Sequence, residues 1–136
     1  MLEYQITASS MAGKDATMQI KESDIAFGTT PATAQTLPNP AELFLGAFAA
    51  CVLKNVERFS GILKFSYSKA TLEVSAVRLD RPPRMESFRY TLTIYSNDPR
   101  LNTALLQKNI EKFGTIYNTM KLSCQIEGVI HTVQDV

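Results

Sequence analysis

Two cysteines, Cys51 and Cys124, a lone His131 and no tryptophan are the material from which this 136-residue chain can build a reactive centre. One histidine cannot supply an imidazole cage, and the cysteines match no zinc or disulfide-framework spacing, so no metal and no cofactor is expected. The available chemistry is that of a thiolate nucleophile, which needs positive charge close to the sulfur. Cys51 has company of that kind. In a helix Lys54, Asn55 and Arg58 leave roughly the same side as Cys51. Lys54 is one turn away, roughly 5 Å by helical rise, and Arg58 two turns, roughly 10 Å, which makes Lys54 the candidate thiolate stabiliser. An AAC triplet in an apolar stretch is also the usual setting of a small buried cysteine, so a structural reading stands beside the catalytic one. Glu42, nine residues before Cys51, is half a turn out of phase with it. It reads better as half of a capping box with Asn39 than as a catalytic partner of the thiol. Cys124, in phase with Ile126 and Ile130, reads as an inert core residue, and His131 as a solvated strand residue. Phe44, Phe48, Phe59 and Phe65 are core, or line an apolar pocket beside Cys51.

The elements that must position these residues follow from periodicity. Strand-like pieces at Leu2–Ala8, Ala16–Ile20 and Ile25–Phe27, separated by AGKD and KESD, form a small meander. GTTPATAQTLPNP is a loop that ends in a helix start, with Asn39 as N-cap and Pro40 at the first helical position. The helix runs from Pro40 to about Gly61, and its Leu43–Leu53 segment is apolar on every side, the pattern of a helix buried all round. A chain this small cannot enclose such a helix alone, so an obligate homodimer is expected. Two alternating strands follow, around Leu72–Ala76 and Phe88–Ile94, joined by RPPR. A second helix starts at an Asn97 or Asp98 cap with Pro99, carries the stripe Leu101, Leu105, Leu106, Ile110 and Phe113, and ends at Gly114. TIYNTM adds a short helical turn, and a last strand aligns Cys124, Ile126, Gly128 and Ile130 on one face. The order βββ, α, ββ, α, α, β predicts an α+β fold in a single domain over 1–136.

The central stretch PNPAELFLGAFAAC, followed by VLKNVERF, resembles the central-helix signature of the OsmC and Ohr family, the osmotically induced and organic hydroperoxide resistance proteins. The agreement in element order extends over nearly the whole chain. The resemblance implies an OsmC-like fold with a central buried helix, built as an intertwined homodimer with its sites at the interface. It also implies a peroxidatic cysteine at Cys51 and a pocket formed by Phe44, Phe48, Gly114 and Tyr117. Against the active members, three parts are absent or moved. Ala41 stands where they carry a glutamate, Glu42 matching only the adjacent one, and Gly114 stands where their resolving cysteine opens a helix. No arginine precedes Arg58 to take the place of their N-terminal arginine. Lys14 or Lys21 would have to serve instead, without the two-pronged guanidinium geometry.

Two functional expectations follow. One is a thiol peroxidase in oxidative-stress defence, reducing hydrophobic organic hydroperoxides at Cys51 and recycled by an external thiol. The alternative is a non-catalytic dimer that holds a small hydrophobic ligand in the same pocket. Fourteen basic against thirteen acidic residues leave no footprint for nucleic acid or an anionic membrane. The run Leu43–Leu53 is about half the ~20 residues a bilayer requires. Met1 opens no basic-then-apolar leader, which places the expected protein in the cytoplasm with reduced thiols.

Overall fold

A computed structural model describes residues 1–135, in two compact units divided between Phe44 and Leu45. The first unit holds the antiparallel strands β1 (Thr7–Ser9), β2 (Ala16–Ile20) and β3 (Ser23–Phe27), paired in that order. β1 is shorter than the sequence pattern. β2 has only five residues and turns away after Ile20, so residues 2–6 find no partner to pair with. The loop after β3 is pinned by Asp15. One oxygen of its carboxylate accepts the Thr29 and Thr30 amides at 2.9 and 3.1 Å and the Thr30 and Thr33 hydroxyls at 3.0 and 2.8 Å.

α1 (Pro40–Ile62) begins at the capping box expected for it: Asn39 Oδ1 accepts from the Glu42 amide at 2.8 Å and Glu42 Oε1 from the Asn39 amide at 3.1 Å. From Leu45 on, the second unit packs α1 beneath a sheet of β4 (Lys69–Asp80), β5 (Pro83–Tyr95) and β6 (Ile126–Val133). β4 and β5 form an antiparallel hairpin closed at Arg81–Pro82. α2 (Thr103–Phe113) and α3 (Thr115–Met120) cross over to bring β6 parallel to β5. The alternation read in β5 holds, with Phe88, Tyr90, Leu92 and Ile94 facing the core against Val52, Val56 and Phe59 of α1.

Within one chain a single sheet covers a single face of α1: Phe48, Val52, Asn55, Val56 and Phe59 are buried while Gly46, Ala47 and Ala50 stay exposed. Three sequence expectations are corrected. α2 is capped by Asn102, whose Oδ1 accepts from the Leu105 amide at 3.0 Å. The Asp98 carboxylate is instead occupied by Arg100 and the Ser66 amide, and Asn97 ties down Asp135. In the α2 stripe only Leu106 and Ile110 are buried. Cys124 precedes β6, since its amide donates to Met120 O in the turn that closes α3, and it is half-buried with its sulfur 3.8 Å from Met85 O.

Beyond Phe88 the β4–β5 hairpin continues as a two-stranded ribbon, Val77–Glu86, with no β6 beside it and a bulge between Ser75 and Val77. Among the described residues no helix is long and apolar enough to cross a membrane, and no three His, Cys, Asp or Glu side chains come together as a metal cage.

Three carboxylates set an acid limit on stability. Arg100 and then the Ser66 amide hold Asp98 well below the usual carboxylate range. The Gln125 amide, then Arg84 and the Ser87 amide, hold Glu86 down at about 2, and the Thr29 amide with the Thr33 hydroxyl lowers Asp15. A carboxylate whose folded pKa is depressed contributes stability that is present above its unfolded value, near 4, and lost as pH falls through the folded one. Melts from pH 6 to 2 are therefore expected to show a falling midpoint below about pH 4. Asp98→Asn should be less stable than wild type at pH 6 and flatter in its acid limb. Parallel acid limbs in the two proteins would count against this assignment.

Candidate functional site

Cys51 sits at the start of the fourth turn of α1, on the flank of its buried face, three residues after Phe48 and four before Asn55. Asn55 is 8% exposed, and its Nδ2 donates to Cys51 O at 2.9 Å while lying 3.7 Å from Cys51 Sγ. It is the polar group that faces the sulfur. Asn55 was legible as an i+4 neighbour, although the sequence argument turned on the charges beside it.

On its other side Cys51 meets the junction of α2 and α3. Gly114 closes α2 by donating its amide to Ile110 O at 2.9 Å, and packs so tightly that a Cβ there would meet Ile110 O at 2.7 Å, Tyr117 Cβ at 3.2 Å and Cys51 Sγ at 3.3 Å. Glycine lets the backbone come directly against the thiol. The expected pocket residues Gly114 and Tyr117 thus meet at Cys51, and Phe48 joins them through rings 6.4 Å from Tyr117 and 5.6 Å from Tyr90.

Glu42 belongs to the first unit and serves the helix cap. Phe44 ends that unit and is 41% exposed. Lys54 is exposed. The Arg58 guanidinium lies over the rings of Phe59 and Phe113, at 5.3 and 6.0 Å, where its charge serves the aromatic pair.

A polar cluster that sequence reasoning missed lies along α2 from Gly114. Gln107, Glu111 and Gly114 lie on one face of α2 at i, i+4 and i+7. Gln107 Nε2 donates to Gly128 O at 2.8 Å and to Tyr90 Oη at 3.3 Å, while Tyr117 Oη donates to Glu111 Oε1 at 3.3 Å. Burial pushes the Glu111 carboxyl up, opposed by the Tyr117 hydrogen bond. Burial and the Glu111 charge push both the Tyr90 and the Tyr117 phenols up. The signal was the spacing of Gln107, Glu111 and Gly114, readable only once the face of α2 that meets α1 is known.

The fold order, the helix bearing Cys51 and the glycine against its sulfur coincide with a match to the family model for OsmC-like protein over residues 33–128. The chain belongs to the OsmC-like family. Solved structures agree on the fold. The OsmC-like protein of Mycoplasma pneumoniae is 18% identical, with 97% of this chain and 98% of that one covered at a TM-score of 0.82. The organic hydroperoxide resistance protein OsmC of Legionella pneumophila is 14% identical over 96% and 99%, with a TM-score of 0.67. OhrB, the organic hydroperoxide resistance protein of Bacillus subtilis, is 18% identical over 95% and 98%, with a TM-score of 0.63. No protein of curated function matches the sequence. In this OsmC-like chain the resolving-cysteine position assigned by resemblance, Gly114, is the residue that touches the Cys51 sulfur.

Proposed function

We propose that this OsmC-like protein is a cytoplasmic homodimer that reduces organic hydroperoxides at Cys51 and is recycled by an external thiol. The observation that carries the reading is the Cys51 sulfur set between Asn55 and Gly114, beside the aromatic side chains of Phe48 and Tyr117. Aromatic side chains beside the sulfur suit a hydrophobic peroxide. The Cys51 thiolate attacks the distal peroxide oxygen, an S–O bond forms as the O–O bond breaks, and the alkoxide leaves and takes a proton. Sulfur is oxidised to the sulfenic acid, and the peroxide is reduced to alcohol. Two molecules of external thiol then return Cys51 to the thiol through a mixed disulfide, releasing water and their own disulfide.

The dimer rests on apolar surface that one chain leaves open. α1 exposes Phe44, Gly46, Ala47 and Ala50, and Ala16 is the one buried residue of the first unit. Light scattering at micromolar concentration is expected to give the mass of two chains, and a monomer would overturn the dimer.

The second reading, a binding module, is favoured by one observation: Lys54 and Arg58, the cations nearest in sequence, are exposed and ring-stacked respectively. It predicts that a small hydrophobic ligand raises the melting temperature while Cys51 stays unoxidised under cumene hydroperoxide. Peroxidase function predicts a sulfenic acid at Cys51, trapped by dimedone and seen by mass spectrometry.

A further inference from the structure

We infer that Glu111 supplies, through the Tyr117 hydroxyl, the proton taken up by the alkoxide leaving Cys51, an assignment that rests on the peroxidase reading. Three placements carry it. Tyr117 stands against Gly114, at which a Cβ would meet the Cys51 sulfur at 3.3 Å, and its ring lies tilted beside that of Phe48, centroids 6.4 Å apart. Tyr117 Oη meets Glu111 Oε1 at 3.3 Å. Glu111 is half-buried, and no cation lies within ion-pair distance of it among the described residues.

A carboxyl so placed has no structural partner that needs its charge, and burial favours its neutral, proton-bearing form. The titratable groups that face it are Tyr117 from α3 and Tyr90 from β5, both with raised phenol pKa values. Cys51 of α1 lies behind Gly114, one turn further along α2, and the Lys121 ammonium lies over the Tyr117 ring at 6.0 Å. When Glu111 carries the proton, the hydrogen bond reverses. Its O–H donates to Tyr117 Oη, and the Tyr117 O–H is released toward the leaving oxygen. As the O–O bond breaks, the alkoxide takes the Tyr117 proton, Tyr117 takes that of Glu111, and the Glu111 carboxylate regains one from water. Cys51 thiolate, hydroperoxide and one proton become sulfenic acid and alcohol, which balances. Glu111 is thus a positioning residue acting through Tyr117.

Two reactions of the same thiolate separate this role from a structural one. Alkylation by iodoacetamide expels iodide, which needs no proton, whereas reduction of cumene hydroperoxide expels an alkoxide, which does. Single-turnover rates of both are compared in the whole protein from pH 9 down to the lowest pH at which it stays folded. In wild type the ratio of oxidation to alkylation is expected to be higher at the acid end, where Glu111 bears its proton, than at the alkaline end. In Glu111→Gln and Tyr117→Phe oxidation should be at least about tenfold slower with alkylation unchanged, and the ratio flat with pH. Glutamine keeps the size and the acceptor oxygen, so the first variant retains the packing. Glu111→Asp should recover part of the pH dependence. Equal losses in both reactions, or wild-type oxidation in Glu111→Gln, overturn the assignment while leaving the peroxidase reading in place. A wild type whose Cys51 is alkylated but never oxidised overturns both.

Discussion

Cys51→Ser is expected to reduce hydroperoxide turnover to the uncatalysed background, and Cys124→Ser to leave it unchanged. A serine hydroxyl is not ionised at neutral pH and cannot accept a peroxide oxygen, so no slower version of the step survives the first substitution. Cys124 lies in the turn after α3, with its sulfur near Ser123 Oγ and Met85 O, and takes no part in the Gly114 contact. Oxidised wild type should therefore carry no Cys51–Cys124 bridge, and its recycling should depend on added dithiothreitol. The assay is loss of cumene hydroperoxide with dithiothreitol in excess, together with non-reducing mass analysis. Turnover that persists in Cys51→Ser ends the peroxidase reading, and an internal bridge in good yield ends the assignment of an external reductant.

The second large effect is on folding. Gly128→Ala should destabilise the protein by about 3 kcal/mol, or lower its melting temperature by roughly 10 °C. A Cβ at Gly128 falls within the ring of Tyr90. The ring has nowhere to go: Tyr90 is 3% exposed, packs on Phe48 and is held at its hydroxyl by Gln107. The backbone of β6 is equally fixed by its parallel pairing, Tyr90 opposite Gly128 and Leu92 opposite Ile130. Urea or thermal unfolding measures the cost, and adding Tyr90→Leu to Gly128→Ala should make the pair less costly than the sum of the singles. A loss below about 0.5 kcal/mol would show that the sheet yields more easily than its packing indicates.

The residues that declared themselves in the sequence did so through local chemistry. Asn39, Pro40 and Glu42 spell a helix start, and the alternation of β5 needs no knowledge of its neighbours. Where the outcome depended on a partner, the sequence was silent. Gly128 was legible as a member of one strand face, but that its missing side chain makes room for Tyr90 follows only from the crossover that lays β6 beside β5. Asn97, Asp98 and Asn102 are all competent caps; Asn102 won because Arg100, Ser66 and Asp135 engage the other two. The pairing of Cys51 with Gly114 was reached by family resemblance, since no spacing rule joins a mid-helix cysteine to a glycine two elements away. Glu111 was passed over for the same reason: its significance lies in Tyr117, and that neighbour comes from α3, beyond the break at Gly114.

The ribbon that carries β4 and β5 past the end of β6 divides one hairpin into two mechanical regimes. From Arg89 to Tyr95 each residue of β5 is paired on both sides, and its inward side chains belong to the common core. From Val77 to Arg84 the two strands pair only with each other, with Val77 and Leu79 exposed, and an isolated pair of strands is at best marginal in water. Opening the tip short of Met85 therefore leaves the common core untouched. It follows that chain length is cheap there: residues can be added or removed in opposed pairs around Arg81 without disturbing the register that begins at Phe88, which makes this tip the natural place for insertions.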